Sequence, residues 1–204
     1  MNEVVVAATG VANLASIGAA FARLHVAVRN AEDGDDVRRA AAVLLPGVGN
    51  FAPARAELDR RGLVAALRER LAAGRPTLGI CLGMQLCCDG SDEADGVPGL
   101  GVVRGRLRRF DAALRVPQMG WNRVQAAPGS RLLADGHAYF ANSFRLAEPP
   151  ADWTVATSDH GGPFVAALER GDVLLCQFHP ELSGAYGAAL LRRWLDAAHV
   201  EVAC

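Results

Sequence analysis

Between residues 4 and 86, short apolar runs alternate with stretches of helical spacing, and glycine-bearing turns punctuate them. Val4-Val5-Val6-Ala7-Ala8 ends at Thr9-Gly10, and Asn13 then stands as a helix N-cap ahead of Leu14, Ile17, Phe21 and Leu24. A second apolar piece from His25 to Val28 leads into the acidic turn Glu32-Asp33-Gly34-Asp35-Asp36. Ala41-Ala42-Val43-Leu44-Leu45 follows as a buried strand closed by Pro46-Gly47-Val48-Gly49. Residues 51 to 73 carry helical patterning with a break at Gly62, and Gly74-Arg75-Pro76 ends them before the strand Thr77-Leu78-Gly79-Ile80 and a helix from Leu82. Strands alternating with helices imply a parallel sheet covered on both faces. From about residue 97 the pattern shortens. Val102 to Phe110, His137 to Asn142, Trp153 to Thr157, Pro163 to Leu168 and Val173 to Phe178 read as strands of mixed or antiparallel sheet. Residues 185 to 198 form a closing helix with Leu190, Leu191, Trp194 and Leu195 on its apolar face. No repeat or linker divides the chain, so the expectation is a single α/β domain over residues 1–204: an open mixed, largely parallel sheet with flanking helices.

Composition narrows the chemistry. A chain of 204 residues with 51% hydrophobic and 21% charged residues can bury a real core and is not disordered. With 21 basic against 22 acidic residues, the charge offers no pull toward nucleic acid or an anionic membrane. Every basic residue is Arg, which excludes lysine Schiff bases and the lysine-bearing phosphate loop. Met1-Asn2-Glu3 is acidic where a secretory signal is basic, and no apolar run approaches the roughly 18 residues of a spanning helix, so the expected location is cytoplasmic. The cysteines Cys81, Cys87, Cys88, Cys176 and Cys204 are odd in number and lack C-x-x-C spacing, against a disulfide framework or a zinc site. No metal or organic cofactor is suggested.

Gly79-Ile80-Cys81-Leu82-Gly83, between a strand and a helix, has the pattern of a nucleophile elbow with sulfur in place of oxygen. Helix-start amides there favour thiolate, and the Leu82 N–H is an oxyanion donor. A buried structural cysteine in a glycine-rich turn fits the same spacing. His179 follows the strand Val173 to Phe178, and Glu181, two residues on, faces the same way in an extended segment, so it can orient the imidazole. A capped loop between strand and helix is the plainer account of that tripeptide alone. Pro46-Gly47-Val48-Gly49 ends another strand on the same sheet edge and can flip a peptide N–H toward an oxyanion, or be only a turn. Cys176 in a strand and Cys87 and Cys88 in a helix read as core. Arg104, Arg106 and Arg108 alternate as one face of a strand: a solvated edge, or a partner contact.

In sequence order, Asn13-Leu14, Pro46-Gly47-Val48-Gly49, Gly79-Ile80-Cys81-Leu82-Gly83-Met84-Gln85-Leu86, Met119-Gly120-Trp121-Asn122, Tyr139-Phe140 and Gln177-Phe178-His179-Pro180-Glu181 resemble the class I (triad) glutamine amidotransferases. More narrowly, the chain is similar to glutaminase subunits of imidazole glycerol phosphate synthases, over about residues 4 to 195. The resemblance implies a flavodoxin-like fold and a Cys81-His179-Glu181 triad that hydrolyses glutamine through a glutamyl thioester. It implies oxyanion amides from Val48 and Leu82, and glutamine contacts from Gly47, Gly49, Gln85 and Ser143. It also implies a heterodimer with a (β/α)8 cyclase subunit that takes up the ammonia, contacted by Asn13 and Trp121, in histidine biosynthesis. This chain departs from the family pattern at Ala8, usually acidic; at Gln118, usually His; at Asn142-Ser143-Phe144, usually His-Ser/Thr-Tyr; and at Leu182, commonly basic. Three other readings stand beside it: an amidotransferase subunit of another pathway, a non-catalytic partner-binding protein of this fold, and a thiol hydrolase acting alone.

Overall fold

The computed structural model describes residues 3–10 and 14–200, so Asn13 and Cys204 lie outside the described residues. The elements are β1 (Glu3–Val6), α1 (Leu14–Ala22), β2 (Ala27–Asn30), α2 (Gly34–Arg39), β3 (Ala42–Leu45), α3 (Phe51–Arg60), α4 (Val64–Ala72), β4 (Thr77–Ile80), α5 (Leu82–Leu86), β5 (Cys88–Ser91) and β6 (Val103–Arg109). They continue with β7 (Gln118–Ala126), β8 (Gly136–Asn142), β9 (Phe144–Arg145), β10 (Thr154–Asp159), β11 (Pro163–Arg170), β12 (Val173–Cys176), a 3-10 turn (Pro180–Leu182) and α6 (Gly184–Ala197).

The main sheet has nine strands in the order β2-β1-β3-β4-β12-β11-β10-β7-β8. From β2 to β12 every pairing is parallel, and from β12 to β8 every pairing is antiparallel. The α/β expectation holds; after the change of period near residue 97 come β6, which pairs in parallel with β5 in a separate three-stranded sheet β5-β6-β9, and then the strands of the antiparallel half. Alternate side chains of the central strands feed two cores. Val4, Leu44, Leu78 and Leu174 join Phe21 and Trp194 on one face, while Val5, Val43, Leu45 and Leu175 join Phe51, Leu58 and Leu67 on the other.

Local chemistry explains where the sequence reading and the structure differ. The acidic segment is not a turn: Asp33 Oδ1 accepts from the Asp36 N–H at 2.8 Å and caps α2. Cys87 and Cys88 are not helical. Helix α5 stops at Leu86 because the carbonyls of Leu86 and Cys87 accept from Leu100, Val102 and Val103, drawing the next residues into β5. Strand β7, flat in hydropathy because one face is exposed, carries the Met119-Gly120-Trp121-Asn122 motif along β8. Arg106 pairs with Asp92 and Asp95, and Arg108 with Asp92, so this part of the basic stretch is neutralised by the chain's own acids; it is not a strand edge, since β6 is paired with both β5 and β9.

A methyl at Gly83 would stand 1.8 Å from the Leu45 carbonyl oxygen, so glycine is what lets α5 lie against β3. Gly83→Ala is expected to cost about 3 kcal/mol or more in urea unfolding. Gly18→Ala in α1, where nothing lies within 4 Å, should be neutral or stabilising by up to about 1 kcal/mol. Equal effects at the two positions would contradict the packing argument.

Candidate active site

Strands β4 and β12 run side by side in parallel with Ile80 opposite Cys176, and the Cys81 N–H donates to the Cys176 carbonyl at 2.7 Å. The two strands therefore end together, which places Cys81 beside His179 although they are far apart in sequence. Cys81 has φ +52° and ψ −108°, a backbone region that non-glycine residues rarely occupy. It is the strained turn expected of a nucleophile elbow.

His179 Nδ1 lies 2.8 Å from Glu181 Oε1. The carboxylate only accepts, so Nδ1 carries the proton and Nε2 is left for the cysteine. Cys81, His179 and Glu181 are 7%, 6% and 9% exposed, a set largely removed from water. Burial by itself would lower the imidazole, but its contacts with Cys81 and Glu181 outweigh that and hold it up at about 10. The ring is therefore an imidazolium at neutral pH. Burial pushes Cys87 up to about 12 and raises Cys88 and Cys176 well above an ordinary thiol, so none of them is a neutral-pH nucleophile.

Two supports go beyond the sequence reading: Ser183, which no motif marks, and a contact of Gln177 and Gln85 with the sulfur, which their motifs do not indicate. Ser183 Oγ donates to the His179 carbonyl at 2.6 Å and accepts from the Tyr139 N–H at 3.0 Å, while the His179 N–H donates to the Tyr139 carbonyl at 2.9 Å. These bonds fasten the histidine to β8. Gln177 Nε2 donates to Cys81 Sγ at 3.7 Å, and Gln85 Nε2 donates to Gln177 Oε1 at 3.0 Å, an amide relay ending on the sulfur.

A cavity of about 290 Å³ opens over the cysteine, lined by Val48, Gly49, Gln85, Glu93, Asn142 and Ser143 as well as Cys81, Leu82 and His179. Glu93, a carboxylate at this wall, was not singled out from the sequence; its Oε2 accepts from the Phe51 N–H at 3.3 Å. A groove of about 420 Å³ between α1 and α6 is larger, but neither cysteine nor histidine lines it. Gly47 packs beneath Leu82 and does not line the Cys81 cavity. Its carbonyl accepts from the Leu82 N–H at 3.4 Å. Because a trans peptide points its C=O and N–H in opposite directions, the Val48 N–H faces away from Leu82 in this arrangement. Trp121 is exposed beside Gly184 and edge-on to Tyr139, outside the cavity.

The family model for glutamine amidotransferase class-I matches residues 11–198. The chain belongs to that family. It is 42% identical over 198 residues to the imidazole glycerol phosphate synthase subunit HisH of Deinococcus radiodurans, covering 93% of this chain and 91% of that protein. It is 44% identical over 202 residues to the HisH subunit of Xylella fastidiosa (strain Temecula1), covering 96% and 98%. It is also 41% identical over 193 residues to the chloroplastic imidazole glycerol phosphate synthase hisHF of Arabidopsis thaliana, where the match takes in 91% of this chain but 33% of that longer protein. A crystal structure of a glutamine amidotransferase superposes with TM-score 0.77 at 20% identity, covering 98% of this chain and all of that one, which shows the shared fold.

Because its folded value lies above the unfolded 6.5, the His179 charge stabilises the fold in full below about pH 6.5, and that contribution is lost as pH rises through about 10. Glu181→Gln keeps the shape and removes the charge, so the ring titration followed by NMR should move down from about 10. A titration that stays in place would contradict the assignment of Glu181 as the group facing His179.

Proposed function

We propose that this chain is the glutaminase subunit of an imidazole glycerol phosphate synthase, acting in the cytoplasm. The observation that carries the reading is the convergence of Cys81 and His179 on one cavity, with Glu181 behind the histidine at 2.8 Å from its Nδ1, the histidine charged and the cysteine on a strained turn. Glutamine occupies the cavity with its ammonium toward Glu93 and its remaining polar groups within reach of Gln85, Gly49 and Ser143. The Cys81 thiolate attacks the side-chain amide carbon, forming a C–S bond and an oxyanion. Leu82 N–H is one donor to that oxyanion, and rotation of the Gly47–Val48 peptide releases it from the Gly47 carbonyl and brings the Val48 N–H round as the second. His179 Nε2 gives its proton to the amide nitrogen, the C–N bond breaks, and ammonia leaves. Water then attacks the thioester as neutral His179 takes its proton, and rupture of the C–S bond yields glutamate and restores the thiolate–imidazolium pair.

The partner is a (β/α)8 cyclase that receives the ammonia and produces imidazole glycerol phosphate and AICAR. It docks on the face where Met119, Trp121 and Leu182 stand 66%, 59% and 40% exposed, apolar side chains that a lone surface does not account for. Leu182 makes that contact apolar where the resemblance implies a basic residue. Closure of the oxyanion position by the Gly47 carbonyl is consistent with a subunit that is nearly silent alone and needs its partner to turn the peptide.

Glutamate release should be slow from the chain alone, rise at least about tenfold with the cyclase and its nucleotide ligand, and vanish in Cys81→Ala with the fold retained. Release that ignores the cyclase would assign the triad to another pathway, and full activity in Cys81→Ala would overturn the mechanism. Trp121→Ala is expected to weaken binding of the cyclase by about 2 kcal/mol or more in titration calorimetry while leaving thermal stability unchanged. Unchanged affinity would remove Trp121 from the interface.

A further inference from the structure

Gln118 and Asn142 are directly paired across β7 and β8, and both side chains point inward, 5% and 4% exposed. Gln118 Oε1 and Asn142 Oδ1 each lack a hydrogen-bond partner among the described residues, although Asn142 Nδ2 donates to the Phe144 carbonyl at 3.0 Å. Buried acceptors left unpaired are rarely tolerated. Two of them side by side mark a place where a hydrogen-bond donor is expected to arrive.

One member of the pair lines each of two cavities. Asn142 lines the Cys81 cavity. Gln118 lines a second one of about 150 Å³, bounded by Arg115, His160, Met119 and Trp121, which lies at the exposed apolar face. Directly opposed residues of an antiparallel pair stand about 4.5–5.5 Å apart at Cβ, so at this pair the lining of one space comes within one cross-strand step of the lining of the other. Neither orphan oxygen reaches solvent, which means the wall is closed in this arrangement.

We propose that Gln118 and Asn142 form a swinging polar partition through which ammonia leaves the Cys81 cavity for the docking face, an inference that rests on the glutaminase reading above. Ammonia carries N–H donors and one lone pair. As the side chains turn aside, the two amide oxygens accept those N–H groups in place of the water being left behind, and an amide N–H can satisfy the lone pair. Amides do not titrate in the physiological range, so these two side chains do not themselves protonate ammonia, unlike His179 and His160, which line the cavities on either side.

The test is made on the complex with the cyclase. In Gln118→Leu, which keeps side-chain bulk and removes the acceptor, glutamate release should stay near the wild-type rate while cyclised product per glutamate falls at least twofold and ammonia accumulates in bulk solution. Cyclisation driven by added ammonium salt should be unchanged. Gln118→Met, a still closer match in shape, should behave likewise and serves if the leucine variant does not fold. A product-to-glutamate ratio equal to wild type in the folded variant would overturn the partition, as would a loss of glutaminase with that ratio preserved, because the residue would then be supporting Cys81. Absence of glutamate release from the wild-type complex would instead overturn the glutaminase reading, and the partition with it.

Discussion

The parallel pairing of β4 with β12 is the constraint on which the site depends. A single ladder sets Ile80 against Cys176 and continues one residue further, with the Cys81 N–H on the Cys176 carbonyl at 2.7 Å. Past that bond neither chain can continue as strand: one enters α5 through the Cys81 turn, and the other turns at His179-Pro180. Both reactive side chains therefore leave the sheet at the same edge, as open α/β sheets place their ligand sites beyond the carboxyl ends of strands. The position of the cysteine is fixed by close packing as well, since Gly83 lies against the Leu45 carbonyl and Gly79 against Leu175 and the start of α5.

The electrostatics follow from that geometry. Helix α5 spans Leu82–Leu86, too short for a large macrodipole, so the dominant charge beside the sulfur is the imidazolium. Glu181 sustains it at the cost of a buried carboxylate whose Oε2 has no partner among the described residues. The Gln85–Gln177 relay adds a neutral N–H on the sulfur from the opposite strand end. Such a set is held only by a scaffold that over-determines it, which here includes the Ser183 bonds joining the histidine to β8.

The sequence was legible where one local rule dominated. Apolar runs such as Val43-Leu44-Leu45 and Leu174-Leu175 have no polar side on which to be misread, and glycines around Cys81 have few other uses. The proximity of Cys81 and His179 was legible because both sit at strand ends. Asp33 was missed because a cap and a turn use the same residue types, and Cys87 and Cys88 because pairing with residues 99 to 103 overrode helical spacing. Glu93 and Ser183 carry no motif of their own, and the motif that Gln177 heads says nothing of its contact with the sulfur; only the fold brings these side chains to the cavity, the cysteine or the histidine. The orientation of the Gly47–Val48 peptide is set by one hydrogen bond to Leu82, which no sequence pattern encodes.

The central claim is that Cys81, alone among the cysteines, is the nucleophile toward a glutamine side chain. Incubating the chain and its cyclase with a glutamine analogue bearing an electrophilic carbon at the amide position, followed by peptide mass spectrometry, tests it most directly. The account predicts one adduct per chain on the Cys81 peptide, prevented by glutamine and absent in His179→Ala at neutral pH. Labelling of Cys87, Cys88 or Cys176, or labelling of Cys81 that glutamine does not protect, would contradict it.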